Sequence, residues 1–332
     1  MSVFKRKITV KSWHILLVLA ILIAGVVVLI VSYYRLSNIY DKPEKKLTSS
    51  QKTIAVVGDL ACGIDESKKA ASSFSNECQS EKVLQAIANT KPDEVLLAGD
   101  IQYFKGATSD FEAMFLAQWK KTGLHGYAVP GNHEYGTPRA ADYFSSLKNS
   151  SIIVGEENKG FYSVKLGDWT VYALNSNCEY VGGCGVDSEQ YKWLKSELAI
   201  TNSSCTLAMW HHPLFTSGRY APDSGSRSRM KEIWKLLEQY GTDLVVSGHD
   251  HIYERFAGLT SEGILQGDAP RQFVVGTGGR SLYTQSSTKT FGSEFITSTY
   301  GFLQLKLAKN SYGWRFIDSN GQAIDEGRQG CN

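Results

Sequence analysis

From Thr53 onward, short apolar runs alternate with longer amphipathic stretches, and the two kinds of segment have different periods. The short runs are rich in Val, Ile, Leu and Ala and are closed by Gly, Asp or Asn, which predicts strands over 54–58, 94–98, 126–129, 169–175, 206–210, 243–247 and 272–276. Apolar residues recurring every three or four positions predict helices over 80–89, 110–121, 139–147, 188–200 and 227–240. Strands that alternate with helices imply an α/β domain, with helices covering a sheet, and exclude an all-α or all-β architecture. Neither an internal repeat nor a low-complexity tract interrupts the pattern.

The N-terminus follows a different rule. Lys5, Arg6, Lys7 and Lys11 precede an uncharged apolar run from Ile15 to Val31, with Trp13 at one end and Tyr33 and Tyr34 at the other. At ~1.5 Å per residue, a helix of this run with its aromatic flanks approaches the ~30 Å thickness of bilayer hydrocarbon. The expectation is a basic cytoplasmic tail over 1–13, a single transmembrane anchor over 14–34 and a polar linker over 35–52. A catalytic domain over 53–332 follows on the far side of the membrane. The alternative is a cleaved signal peptide, but no small-x-small cleavage site follows closely, and the topology is the same either way.

Cysteine usage fits export. Cys62, Cys78, Cys178, Cys184, Cys205 and Cys331 all lie beyond the anchor, an even set that suggests disulfides outside the cytoplasm. Six cysteines permit about 15 connectivities. Short loops favour Cys62 with Cys78 and Cys178 with Cys184, leaving Cys205 for Cys331. A thiolate metal site is the alternative, and it lacks paired C-x-x-C spacing. Of the 332 residues, 42% are hydrophobic and the net charge is only +2, without basic blocks, so nucleic acid is not the expected partner.

The chemistry lies where the predicted strands end. Gly58-Asp59-Leu60-Ala61, Gly99-Asp100-Ile101-Gln102-Tyr103, Gly131-Asn132-His133-Glu134, Trp210-His211-His212-Pro213 and Gly248-His249-Asp250-His251 each place metal-binding side chains just past an apolar run. In α/β folds that rim is where sites assemble. Any one fragment alone reads as a turn or an isolated histidine; the ordered series points to a metal centre.

In that order the motifs GD, GDxxY, GNHE, HHP and GHDHxYER resemble the calcineurin-like metallophosphoesterases and, more narrowly, the purple acid phosphatases, over roughly residues 53–280. The usual Asp-x-His of the first segment is absent, since Ala61 stands at the third position, and Tyr103 replaces the missing histidine. The resemblance implies a central β-sandwich flanked by helices, a four-layer αββα fold. It assigns one metal to Asp59, Asp100, Tyr103 and His251 and a second to Asp100, Asn132, His211 and His249, with Asp100 shared.

A phenolate ligand favours Fe(III) at the Tyr103 site, and neutral Asn and His donors suit divalent Fe, Zn or Mn at the other. The excess positive charge of such a pair favours dianionic phosphomonoesters, and hydroxide formed in mild acid would attack phosphorus. The implied activity is thus that of an acid phosphatase acting on small-molecule phosphate esters. His133 is the expected general acid and phosphate-binding group, and His212 faces either the cleft or the interior.

The loop after His212 offers Arg219, Tyr220, Arg227 and Arg229, of which Arg219 is the candidate phosphate clamp. Glu134 and Glu254 with Arg255 are expected to brace the ligand loops. The glycines at 276–279 would let backbone pass close to the metals, and Asn149 and Asn202 begin glycosylation triplets. Two alternatives share these residues: a phosphodiesterase or nucleotidase on the same metals, and a surface phosphate-binding protein without turnover. The oligomeric state is not encoded in any motif.

Overall fold

A computed structural model of the chain describes residues 51–64, 78–221, 229–286 and 288–332. The expected tail, anchor and most of the linker lie outside the described residues, as does Arg227. Among the described residues, no helix is long and apolar enough to cross a membrane. Residues Ser49–Asn332 form one compact unit.

Strands β1 (Lys52–Val57), β2 (Glu94–Leu97), β3 (Gly126–Ala128) and β4 (Ile152–Ile153) run parallel in one sheet. The next strands build a second sheet: β5 (Tyr162–Leu166), β6 (Trp169–Ala173), β7 (Cys205–Met209), β8 (Leu244–Ser247), β9 (Tyr253–Gly258), β10 (Arg271–Val275) and β11 (Ser293–Thr297). Its order is β11-β9-β10-β8-β7-β6-β5, with β6, β7, β8 and β10 parallel and the others antiparallel. The chain then returns through β12 (Gly301–Ala308), β13 (Ser311–Asp318) and β14 (Ala323–Gly330) to extend the first sheet, β12 pairing antiparallel with β1.

Strand alternation divides the core into layers. In β1, Ile54 and Val56 face the second sheet, in a cluster that includes Val171, Leu207, Met209, Val246 and Phe273. Ala55 and Val57 point the other way, onto α1 (Ser80–Asn89), α2 (108–122) and α3 (Ala141–Leu147). On the far face of the second sheet, Ala208 and Val245 pack under α4 (Glu189–Ile200) and α5 (Lys231–Gln239). The result is the expected four-layer αββα sandwich. Ile54 and Val56 have no exposed surface, and each such side chain contributes ~1.5–3 kcal/mol of burial.

Several boundaries differ from expectation for local reasons. Ser188 is the cap of α4 rather than its first residue, its hydroxyl accepting from Tyr191 N at 3.2 Å. The segment predicted as helix from 139 starts at Ala141, because Arg139 and Ala140 adopt left-handed φ of 58° and 55°. In α2 the turn Phe111–Leu116 is π-wound, and the Phe115 N–H donates to Gln102 Oε1 at 3.2 Å. Gln102 in turn donates to the Cys62 and Tyr103 carbonyls at 2.9 and 2.7 Å, tying the helix to the site. All three expected disulfides are present: Cys62–Cys78, Cys178–Cys184 and Cys205–Cys331. The last closes a separation of 126 residues and fastens the chain end to β7.

Candidate metal centre

The parallel strands deliver their following residues to one rim, where the loops interlock. Asp59 N donates to Gly99 O at 3.1 Å, Gly58 N to Val275 O at 2.9 Å and Gly248 N to His211 O at 3.0 Å. Asp59, Asp100 and His249 sit at φ of 58°, 48° and 68°. This conformation is uncommon for residues with a side chain, and here the surrounding bonds hold it. The His249 N–H donates to Asp59 Oδ2 at 2.8 Å, and the His133 N–H to Asp100 Oδ1 at 2.8 Å. Close approach also requires glycine: a Cβ on Gly131 would lie 2.1 Å from Asp100 Oδ1, and one on Gly276 would lie 3.0 Å from Asp59 Oδ2. The glycine turn expected to pass near the site does so.

The donors converge in a buried cluster. Tyr103 Oη lies 2.8 Å from Asp59 Oδ1, 3.1 Å from Asp100 Oδ2 and 2.9 Å from His251 Nε2. His251 Nε2 is 3.2 Å from Asp59 Oδ1. On the other side of Asp100, its Oδ2 is 3.2 Å from His211 Nε2, which is 3.2 Å from His249 Nδ1. His211 Nδ1 faces the Ala98 carbonyl at 2.8 Å and His251 Nδ1 faces that of Ser281 at 2.6 Å. Each therefore donates its Nδ1–H outward and turns an Nε2 lone pair inward.

Protons are too few for these contacts. One phenolic hydrogen serves Tyr103 Oη, while Asp59 Oδ1, Asp100 Oδ2 and the His251 lone pair all approach it as acceptors. Donors held ~2.1 Å from one cation at right angles stand ~3.0 Å apart, which matches these spacings. The residues thus fit cations held on either side of the Asp100 carboxylate. Without a cation, burial and the Asp100 and Asp59 charges push the Tyr103 phenol well above its ordinary range. Burial opposes protonation of His211, yet Asp100 and Asp59 outweigh it and raise that imidazole to about 9.

Residues 52–253 match the calcineurin-like phosphoesterase family. The chain belongs to that family. Among its curated relatives are purple acid phosphatase 15 of Arabidopsis thaliana, 26% identical over 68% of this chain and 44% of the relative, and acid phosphatase type 7 of Danio rerio, 24% identical over 59% and 52%. The Fe(3+)-Zn(2+) purple acid phosphatase 12 of A. thaliana is 28% identical over 50% of this chain and 38% of the relative. The chain therefore matches about half or less of the length of these relatives. A purple acid phosphatase from yellow lupin seeds shares the fold, with a TM-score of 0.72 at 18% identity over 85% of this chain and 54% of that one. GAP50, the anchor in the inner membrane complex of Plasmodium, shares it with a TM-score of 0.58 at 16% identity over 85% and 89%.

Around this cluster of candidate ligands the other candidates take distinct places. Asn132 is exposed on the loop before His133. His133 Nδ1 faces the Phe104 carbonyl at 2.6 Å, and its Nε2 lies 3.9 Å from Asp100 Oδ2. His212 is buried: Ser176 Oγ meets its Nδ1 at 2.8 Å and accepts from its backbone N at 3.0 Å, and its ring packs 4.4 Å from that of His249. Burial, with His249 and His211 beside it, pushes that imidazole well below its usual range. Of the two places expected for His212, the structure shows the interior, where its ring packs against that of His249.

Glu134 accepts from the N–H groups of Asp100, Ile101, Gln102 and Gly131 at 2.7 to 3.2 Å, bracing two ligand loops as expected. Glu254 instead holds the Ser217 backbone at 2.7 Å, while Arg255 turns outward to Asp325 at 2.9 Å, so those two do not act as one pair. Arg229 Nη1 donates to both carboxylate oxygens of Glu179, at 3.0 and 3.1 Å, in an exposed pair. Arg219 is exposed, its guanidinium 5.0 Å above the Tyr283 ring, and Tyr283 stacks on His251 at 4.0 Å. Tyr220 stacks likewise on His249 at 4.2 Å. Tyr283, Ser281 and Phe104 escaped the sequence reading because none stands in a strand-end motif. Asp250 stood within one, yet its carboxylate grips the 216–220 loop through Thr216 Oγ1 at 2.6 Å and Arg219 N at 3.0 Å, a role that no spacing rule reveals.

Proposed function

We propose that the chain is a membrane-anchored dimetal phosphatase that hydrolyses small-molecule phosphate monoesters outside the cytoplasm, in the manner of the purple acid phosphatases. The observation that carries this reading is the set of acceptors crowded at 2.8 to 3.1 Å around the one phenolic hydrogen of Tyr103. Asp59, Asp100, Tyr103 and His251 hold the first cation, and Asp100, Asn132, His211 and His249 the second. When bound, the pair supplies Lewis-acid charge for the phosphoryl oxygens and acidifies water at the site. Because its surroundings keep the Tyr103 phenol protonated, only a strongly polarising ion displaces that hydrogen, which supports Fe(III) there and a divalent Fe, Zn or Mn beside it.

His133 donates its Nδ1–H to Phe104 O and so presents Nε2 to the cleft, where as imidazolium it protonates the departing alkoxide. Arg219, exposed above Tyr283, and Asn132 meet the phosphoryl oxygens at the rim. The domain bounds are 53–332 for catalysis and 14–34 for the anchor, with N-terminus cytoplasmic. The three disulfides support an oxidising, extracytoplasmic setting.

The test is a visible absorption spectrum of the protein supplied with iron and zinc, beside parallel assays of a phosphate monoester and a diester. A phenolate-to-iron band that Tyr103→Phe abolishes, with faster release from the monoester, is expected. A protein that binds no metal would refute the site, and one that favours the diester would refute the substrate class.

A further inference from the structure

Phe104 is anomalous for a residue beside a buried centre. Its neighbour Tyr103 is 2% exposed, whereas Phe104 is 52% exposed. Its backbone carbonyl receives the His133 Nδ1–H at 2.6 Å, and its ring stands 5.5 Å from the imidazole in an edge contact. The same residue therefore orients the acid and shows an apolar face to the space beside it. A general acid must reach the leaving-group oxygen within about 3 Å, so the leaving group of any ester protonated by His133 lies against this side of the cleft. An exposed phenyl there contributes little to folding, since water covers half of it, but it gains contact when a flat apolar group displaces that water.

We infer that Phe104 is a specificity-determining residue that selects phosphate esters with an aromatic leaving group. The inference rests on the phosphatase reading above and adds the class of ester. The guanidinium of Arg280, 5.1 Å from the ring centroid, braces the phenyl on the side of Tyr103. An alkyl leaving group gains less, because it offers no face to the ring.

The full chain, supplied with iron and zinc, is assayed with phenyl phosphate and glycerol 2-phosphate, and Phe104→Ala and Phe104→Leu are compared with the parent. Substitution of the side chain keeps the carbonyl that orients His133, and the ratio of kcat/KM for the two esters cancels any loss common to both. The intrinsic reactivity of the aryl ester cancels in the same way between variant and parent. The ratio is expected to fall about three- to tenfold in Phe104→Ala, as loss of one aromatic contact predicts, and to fall less in Phe104→Leu.

Binding of phenylphosphonate against methylphosphonate, followed by calorimetry, reads the same preference without turnover. A parent that binds both phosphonates but releases no phosphate overturns the phosphatase reading, and the phosphonate ratio still decides the role of Phe104. An unchanged ratio in Phe104→Ala, by turnover or by binding, overturns the inference.

Discussion

Replacing Glu134 by Gln tests whether the ligand loops are held by one carboxylate. Oε2 accepts from Asp100 N at 2.9 Å and Gly131 N at 2.7 Å, and Oε1 accepts from Ile101 N at 2.8 Å and Gln102 N at 3.2 Å. The side chain is completely buried. Glutamine has the same shape but only one carbonyl oxygen, so whichever way the amide is turned, one pair of backbone N–H groups meets an NH2. Each bond to a charged acceptor is worth ~1.5–3 kcal/mol, and each buried donor left without an acceptor costs ~1–3 kcal/mol. Burial and the Asp100 charge push the Glu134 carboxyl up to about 8, against the pull of the amide donors, so the comparison is made above pH 8, where the carboxylate is ionised, and the desolvation it then carries places the net loss at the lower end of that range.

Two lost bonds then amount to ~3 kcal/mol, a sizeable share of the ~5–15 kcal/mol that stabilises a typical domain. Denaturant unfolding of the metal-free protein is the assay, with metal content measured in parallel. The midpoint should fall with an unchanged slope, and metal retention at the Asp100 loop should weaken, since the Asp100 backbone loses its anchor. Glu134→Gln within about 0.5 kcal/mol of the parent, with full metal content, would show that the loops do not depend on this carboxylate.

Asp243 supplies a pH dependence remote from the metals. Burial raises its carboxyl to about 6 despite the Asn332 and Thr206 N–H donors, so between pH ~4 and 6 the folded protein binds a proton that the unfolded chain has released. The associated stability is fully present below the unfolded value near 4 and is lost as pH rises through 6, by at most ~3 kcal/mol. Asp243→Asn should remove that component, read as the difference between parent and variant unfolding energies at pH 4 and 7; parallel pH curves would contradict it. His133→Ala should lower kcat ~10²–10⁴-fold for alkyl phosphates and by a smaller factor for phenyl phosphate, whose less basic leaving oxygen depends less on the proton His133 delivers. An equal loss on both esters would remove His133 from the role of acid.

How much of this was legible beforehand depends on where the information sits. The strands that lead to Asp59, Asp100, Asn132, His211 and His249 are short and apolar, because they are covered on both faces, and all but the one before His211 are closed by glycine. Burial wrote them plainly into the sequence. Among the described residues, β9, β12 and β13 went unread inside the sheets, and β4, β5, β11 and β14 went unread at their edges, where β14 reads AIDEGRQG and β11 reads SEFIT, polar segments with one edge open. Such edges gain from charge, which keeps them from pairing with other chains, and the same charge erases the pattern that announces a strand.

The site divides in the same way. Residues that bear lone pairs toward the centre recur in short motifs at strand ends, but those that fix their direction do not. The carbonyls of Ala98, Ser281 and Phe104 set which nitrogen of His211, His251 and His133 faces inward, and a backbone carbonyl is chemically the same in every residue. Sequence thus names the atoms that can do the chemistry, whereas their orientation belongs to contacts between distant segments. That is why Phe104, contributing a carbonyl to the acid and a ring to the cleft, became visible only once those segments were brought together.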